Sequence, residues 1–118
     1  MKVGLVNEKG VKMFSYSKQQ KVGGNTYTIE LIDVYVVNRE SDVGLCNFDK
    51  LEISVACKSE NGSPKALTVI ERLLWHELLH AIARTWNVDL NNEDTERLAQ
   101  GLTQVLGDNG FTLVKRVE

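Results

Sequence analysis

Proline and cysteine are scarce in this 118-residue chain, with one of the first and two of the second. Cys46 and Cys57 cannot form a disulfide framework, and their spacing matches no common zinc knuckle. They are expected to be reduced thiols, small residues of strands or turns in a cytoplasmic protein. No run approaches the ~20 consecutive apolar residues of a membrane-spanning helix. The opening MKVGLVNEKG lacks the apolar stretch of a signal peptide, so no export and no membrane partner are expected. Neither charge sign dominates: 14 Lys and Arg face 16 Asp and Glu, a net charge of −2. With only 7% aromatic residues, the basic, aromatic surface of a nucleic-acid binder is not expected. Internal repeats and low-complexity segments are missing too. What remains is 42% hydrophobic residues and balanced charge, the composition of a globular chain of one domain's length, residues 1–118.

The chain divides in character near residue 60. Residues 1–60 read as strands, and residues 63–107 as two helices. Lys2 to Val6 is a short apolar run, and Val11 to Tyr16 alternates weakly. Lys21 to Asn25 (KVGGN) is a turn signal. Thr26 to Val37 is rich in β-branched and aromatic residues, with a bend expected at Asp33. Asn38 to Gly44 is loop-like. Leu51 to Ala56 alternates apolar and polar, as a half-buried strand does, and is expected to pair with the Thr26–Val37 strand. Ser63 and Pro64 suit the N-cap and first position of a helix. Ala66 to Trp86 lacks Gly and Pro. One apolar stripe there carries Leu67, Ile70, Leu74, Leu78, Ala81 and Ile82, and a second row carries Leu73, His76, His80 and Ala83, so this is a central helix. Asn87 can end it in the left-handed conformation. Thr95, Leu98, Ala99, Leu102, Val105 and Leu106 form the stripe of a second helix, with Gly107 as its terminator. Phe111 to Val114 is a last short strand or an extended tail. Trp75 and Trp86 are expected to pack.

The two histidines of the chain, His76 and His80, stand in Trp75-His76-Glu77-Leu78-Leu79-His80. This is H-E-x-x-H in the middle of the first helix. Residues at i and i+4 share one helix face, so both imidazoles can reach a single ion. Zinc accepts such nitrogens at about 2.0–2.1 Å. Glu77, one position after the first ligand, can take a proton from a metal-bound water without itself binding the metal. A hydrolytic zinc site needs a third protein ligand. None follows His80 directly, so the acidic residues of the second helix are the candidates. At ~100° per residue, Glu93 lies opposite the apolar stripe and Asp94 on its far flank. Glu96 lies at the edge of the buried face, beside Ala99. Glu96 is therefore the expected third ligand, and Glu93 the second choice. Ala99 and Gly101 would let this helix approach its neighbour closely.

These segments resemble the minigluzincins, short gluzincin-type metallopeptidase domains, and especially the ImmA/IrrE-related proteins of phages and prophages. The likeness rests on Gly44 to Asp49 (GLCNFD) before the Leu51–Ala56 strand, on Leu73 to Ile82 (LLWHELLHAI), and on Glu96 to Asn109 (ERLAQGLTQVLGDN). It covers residues 26–110. In that family the third ligand is a Glu within E-x-x-A on the following helix, which Glu96 to Ala99 fits. The resemblance implies an α+β, zincin-like fold, in which a small, mostly antiparallel twisted sheet packs on the active-site helix and a second, glutamate-bearing helix. It also implies Zn²⁺, a water nucleophile and hydrolysis of peptide bonds. The implied partner is an extended peptide or protein substrate laid along an edge strand, here Leu51 to Ala56, in the cytoplasm of a host cell.

The chain departs from the pattern of larger gluzincins at Gln100, where they often carry an acidic residue that orients a His; an amide is a weaker orienter. The chain has no third His to stabilise a transition state, and Tyr16, Tyr27, Tyr35 and Arg84 are the donors available. A metal-binding interaction domain without useful hydrolysis is therefore the alternative reading. A DNA-associated HExxH protease of the SprT type is disfavoured by the acidic charge balance.

Overall fold

The computed structural model describes residues 2–5, 13–32, 44–59 and 61–117. It is α+β. In chain order the elements are β1 (Lys2–Leu5), β2 (Met13–Ser17), β3 (Gln19–Val22), β4 (Asn25–Ile32), β5 (Gly44–Asn47), β6 (Glu52–Ala56), α1 (Leu67–Thr85), α2 (Asn92–Asp108) and β7 (Val114–Val117). Among the described residues, no helix is long and apolar enough to cross a membrane.

The strands form two sheets rather than one, with orders β1-β2-β7 and β3-β4-β6-β5. The chain passes between sheets at Lys18, whose carbonyl accepts from Ile29 N at 2.7 Å. The predicted pairing of the two longer strand segments is present, but β4 and β6 run parallel while every other pair among the described residues is antiparallel. The expected all-N-terminal sheet is also corrected. The last strand begins at Val114, not Phe111, and returns to pair with β2. Asp33 and residues 38–43 of the expected loop lie outside the described residues, and the loop's last expected residue, Gly44, instead opens β5.

β4 shows why it sits where it does. Its buried residues are Tyr27, Ile29 and Leu31, every second side chain, and they meet Ile53 and Val55 of β6 in one core. That core runs on to Phe14 and Tyr16 of β2 and to Ile70, Leu74 and Leu78 of α1. Both sheets thus pack against α1, as its two apolar rows require.

The helix starts differ from expectation. α1 begins at Leu67, with Ala66 as an N-cap that makes no side-chain cap bond. Ser63 and Pro64 belong instead to a preceding reversal. Asn61 Oδ1 accepts from both the amide and the hydroxyl of Ser63, and Pro64 bridges to Lys58. Once Asn61 has bound Ser63, the serine is no longer a free cap. α2 has the cap that α1 lacks, Asn91 Oδ1 accepting from Asp94 N at 2.7 Å.

Both helices end alike. Asn87 has φ 56°, and Val88 N donates to Ala83 O at 2.8 Å, the long bond of a Schellman ending. α2 runs past the expected stop at Gly107. Its left-handed residue is Gly110 at φ 87°, with Phe111 N donating to Leu106 O and Gly110 N to Gly107 O. Gly107 is tolerated inside the helix because Gly110 supplies the positive φ that the reversal needs.

The predicted stripe of α2 is only half used. Thr95 and Ala99 are buried, while Leu98 and Val105 are 47% and 52% exposed. Among the elements, α2 packs chiefly on α1, so one narrow row suffices. Gly101 faces open space and makes no close approach. Trp75 packs against the core as expected, but Trp86 is 59% exposed.

Candidate metal centre

An open cleft of about 600 Å³ lies between α1, the start of α2 and strand β5. His76, Glu77 and His80 enter it from α1, Glu96 from α2, and Gly44 and Cys46 from β5. The four residues read from the sequence as a site thus line one cavity. Glu93, the second choice for a ligand, is exposed.

The two imidazoles stand edge to face with centroids 4.8 Å apart, the consequence of their i, i+4 spacing. Burial, and then the neighbouring His76, hold the pKa of His80 below 6.5, which favours the neutral form a metal requires. Glu96 reaches across from α2. Its Oε1 lies 2.9 Å from His76 Nδ1. Its Oε2 accepts from Gln100 Nε2 at 3.2 Å and from Arg72 Nη1. Burial alone would raise the Glu96 carboxyl. The bonds from His76 and Gln100, with the charge and bond of Arg72, outweigh it and hold the pKa below 4.5. Glu96 is therefore a carboxylate at neutral pH.

Glu77 is 7% exposed and faces β5 at Gly44. A Cβ at position 44 would lie 2.7 Å from Glu77 Oε2 and 3.2 Å from its Cγ. Only glycine leaves the carboxylate this room. The turn after β5 fixes that strand in place, since Asn47 Oδ1 accepts from Asp49 N and Lys50 N and Leu51 adopts φ 55°. Cys46 sits close by. Burial first, and then Glu77, push its thiol up to about 12, so at neutral pH it is a neutral thiol rather than a thiolate ligand.

The strand expected to form the edge, Leu51 to Ala56, is corrected. β6 lies between β4 and β5 with both sides paired, because it must hydrogen-bond β4 while its side chains fill the core. Among the described strands, the terminal one on this side is β5, which also walls the cleft.

The candidate transition-state donors fall elsewhere. Tyr16 and Tyr27 are 3% and 1% exposed and belong to the core, and burial raises both pKa values. Arg84 stacks over Phe48 at 4.6 Å. Tyr35 lies outside the described residues. Sequence reasoning missed Arg72, and it noticed Gly44 only as part of the GLCNFD segment, not as the neighbour of Glu77. Arg72 stands four residues before His76, on the same helix row, which is the signal that could have found it.

Two imidazoles, an ionised carboxylate and a cleft open to solvent are a donor set suited to zinc. Among the described residues, however, no three His, Cys, Asp or Glu side chains already converge as a cage. Glu96 is turned toward Arg72 and the Nδ1 edge of His76.

No protein family, curated protein or solved structure matches the chain.

Proposed function

We propose that the chain is a zinc-dependent metallopeptidase of the gluzincin type, like the phage and prophage minigluzincins that its segments resemble. One observation carries the reading: the H-E-x-x-H side chains and Glu96, from separate helices, line the same solvent-open cleft. In this reading the fold is a minimal zincin-like one that works in the cytoplasm.

His76, His80 and Glu96 would hold the ion, whose charge would polarise the scissile carbonyl and activate water. Glu77 takes the proton from the attacking water and passes it to the leaving amine. Gly44 keeps the Glu77 carboxylate at the cleft wall. An extended peptide would lie along β5, the strand beside the cleft, by strand addition. That replaces the strand inferred from the sequence alone.

The alternative, a metal-binding interaction domain with weak or no hydrolysis, is favoured by one feature. Tyr16 and Tyr27 are buried in the core and Arg84 is engaged by Phe48, so none of these three stands ready as an oxyanion donor.

Metal content and cleavage of a quenched-fluorescent peptide library separate the two. Glu77→Gln should keep zinc and lower cleavage by about 10²–10⁴-fold. Glu96→Ala should lose zinc, and Glu93→Ala should keep it. Zinc lost only in the Glu93 variant overturns the ligand assignment. A zinc-loaded wild type that cuts no library peptide decides for the interaction domain.

A further inference from the structure

We infer that Arg72 sets the metal affinity of the cleft by competing with the ion for the carboxylate of Glu96. The inference rests on the zinc-site reading above and concerns its regulation. Arg72 lines the same cavity as His76 and Glu96, and its guanidinium is ion-paired with Glu96 Oε2. The other oxygen of Glu96 meets His76 Nδ1, and Gln100 adds a second donor on Oε2. Each oxygen of the ligand-to-be is thus already engaged by side chains of this chain.

Of these partners, Arg72 is the permanent cation, since a guanidinium does not deprotonate in proteins. The pair is partly shielded, with side chains 29% and 30% exposed, so it is screened less than a surface pair. If Arg72 stays when a divalent ion enters, two positive centres share one carboxylate and repel each other. If it leaves, the ion must displace a charge-assisted bond. Both routes cost affinity. A guanidinium that only orients a bound carboxylate would do the reverse, because removing such support loosens a metal. The sign of the effect therefore distinguishes the two roles.

Zinc binding to the full chain, followed by calorimetric titration with the metal alone, tests this. Arg72→Met should bind zinc about 3- to 30-fold more tightly than wild type, the range expected when a partly exposed charge-assisted pair is removed. Arg72→Lys, which keeps the charge, should stay much closer to wild type. The gap between wild type and Arg72→Met should narrow as salt rises from about 0.02 to 0.3 M. Cooperative thermal unfolding checks the fold of each variant, and Arg72→Gln replaces Arg72→Met if the latter does not fold. Equal or weaker binding in the neutral variants, or equal tightening in Arg72→Lys, overturns the competition while leaving the zinc site intact. Absence of zinc binding in wild type, or affinity unchanged by Glu96→Gln, overturns the site reading itself.

Discussion

Glu71 and Glu77 are carried by the same helix and are both buried, at 4% and 7% exposure, yet their surroundings differ in kind. Glu71 faces the returning C-terminal strand. Its Oε1 accepts from Val114 N at 3.0 Å, and its Oε2 accepts from Leu113 N at 2.7 Å and Trp75 Nε1 at 3.1 Å. Glu77 faces the cleft and the bare backbone of Gly44. The first carboxylate holds α1 to the three-stranded sheet, and the second is aimed into a solvent-open cavity. Burial alone does not separate the two carboxylates; what each one faces does. A carboxylate bonded to the amides of another element ties the two together, while one that lines a cleft lies on a path from solvent.

The sharpest way to break that contrast is to remove Glu71. Glu71→Ala takes a buried acceptor from two backbone amides and an indole, and each buried group left unpaired costs about 1–3 kcal/mol. The expected loss is about 3 kcal/mol or more in urea denaturation, with zinc affinity of the folded fraction unchanged. A loss under ~1 kcal/mol would show that β7 docks without it.

Gly44→Ala probes the other side. The added methyl meets the far end of a flexible side chain rather than backbone, so folding should lose no more than about 1 kcal/mol. The displaced Glu77 carboxylate is another matter, because a shift of ~1 Å in a reacting group can cost 10²-fold. On the proposed chemistry, cleavage should fall by about 10- to 100-fold while zinc stays bound. Unchanged cleavage would remove Gly44 from the site.

These two residues also mark where sequence reasoning stops. α1 was legible because two apolar rows at helical spacing, free of Gly and Pro, admit only one conformation. H-E-x-x-H was legible because its spacing is local, contained within two turns of one helix. Glu71 was not legible: it reads as an ordinary charge on the helix, and its two backbone partners are 42 and 43 residues away. Gly44 was noticed only within a resembling segment, since its close approach to Glu77 arises from packing β5 on α1. The parallel run of β4 and β6 was invisible for the same reason, as alternation fixes the face of a strand but not its direction. In α2 the periodicity gave the helix and overstated its burial, because a stripe says what can be covered and not what arrives to cover it.

The smallest expected effect is on acid stability, and it compares the cleft with the rest of the fold. His80 has its pKa lowered below 6.5 by burial and by His76. Between its folded pKa and 6.5, the unfolded chain binds more protons, so stability falls as pH drops through that window. Glu96 is lowered below 4.5 in spite of its burial, by its bonds to His76 and Gln100 and by Arg72. It contributes stability that is present above 4.5 and is lost as pH falls through its folded pKa. The metal-free protein should therefore weaken in two stages on acidification, the first below 6.5 and the second below 4.5. Urea midpoints from pH 8 to 3.5 read this directly. His80→Gln should flatten the first stage and leave the second, and Arg72→Met should shrink the second alone. A wild-type profile that is level from pH 7 to 5, or that rises toward acid, would show that the cleft does not depress the histidine, and would leave its neutral, metal-ready form without support.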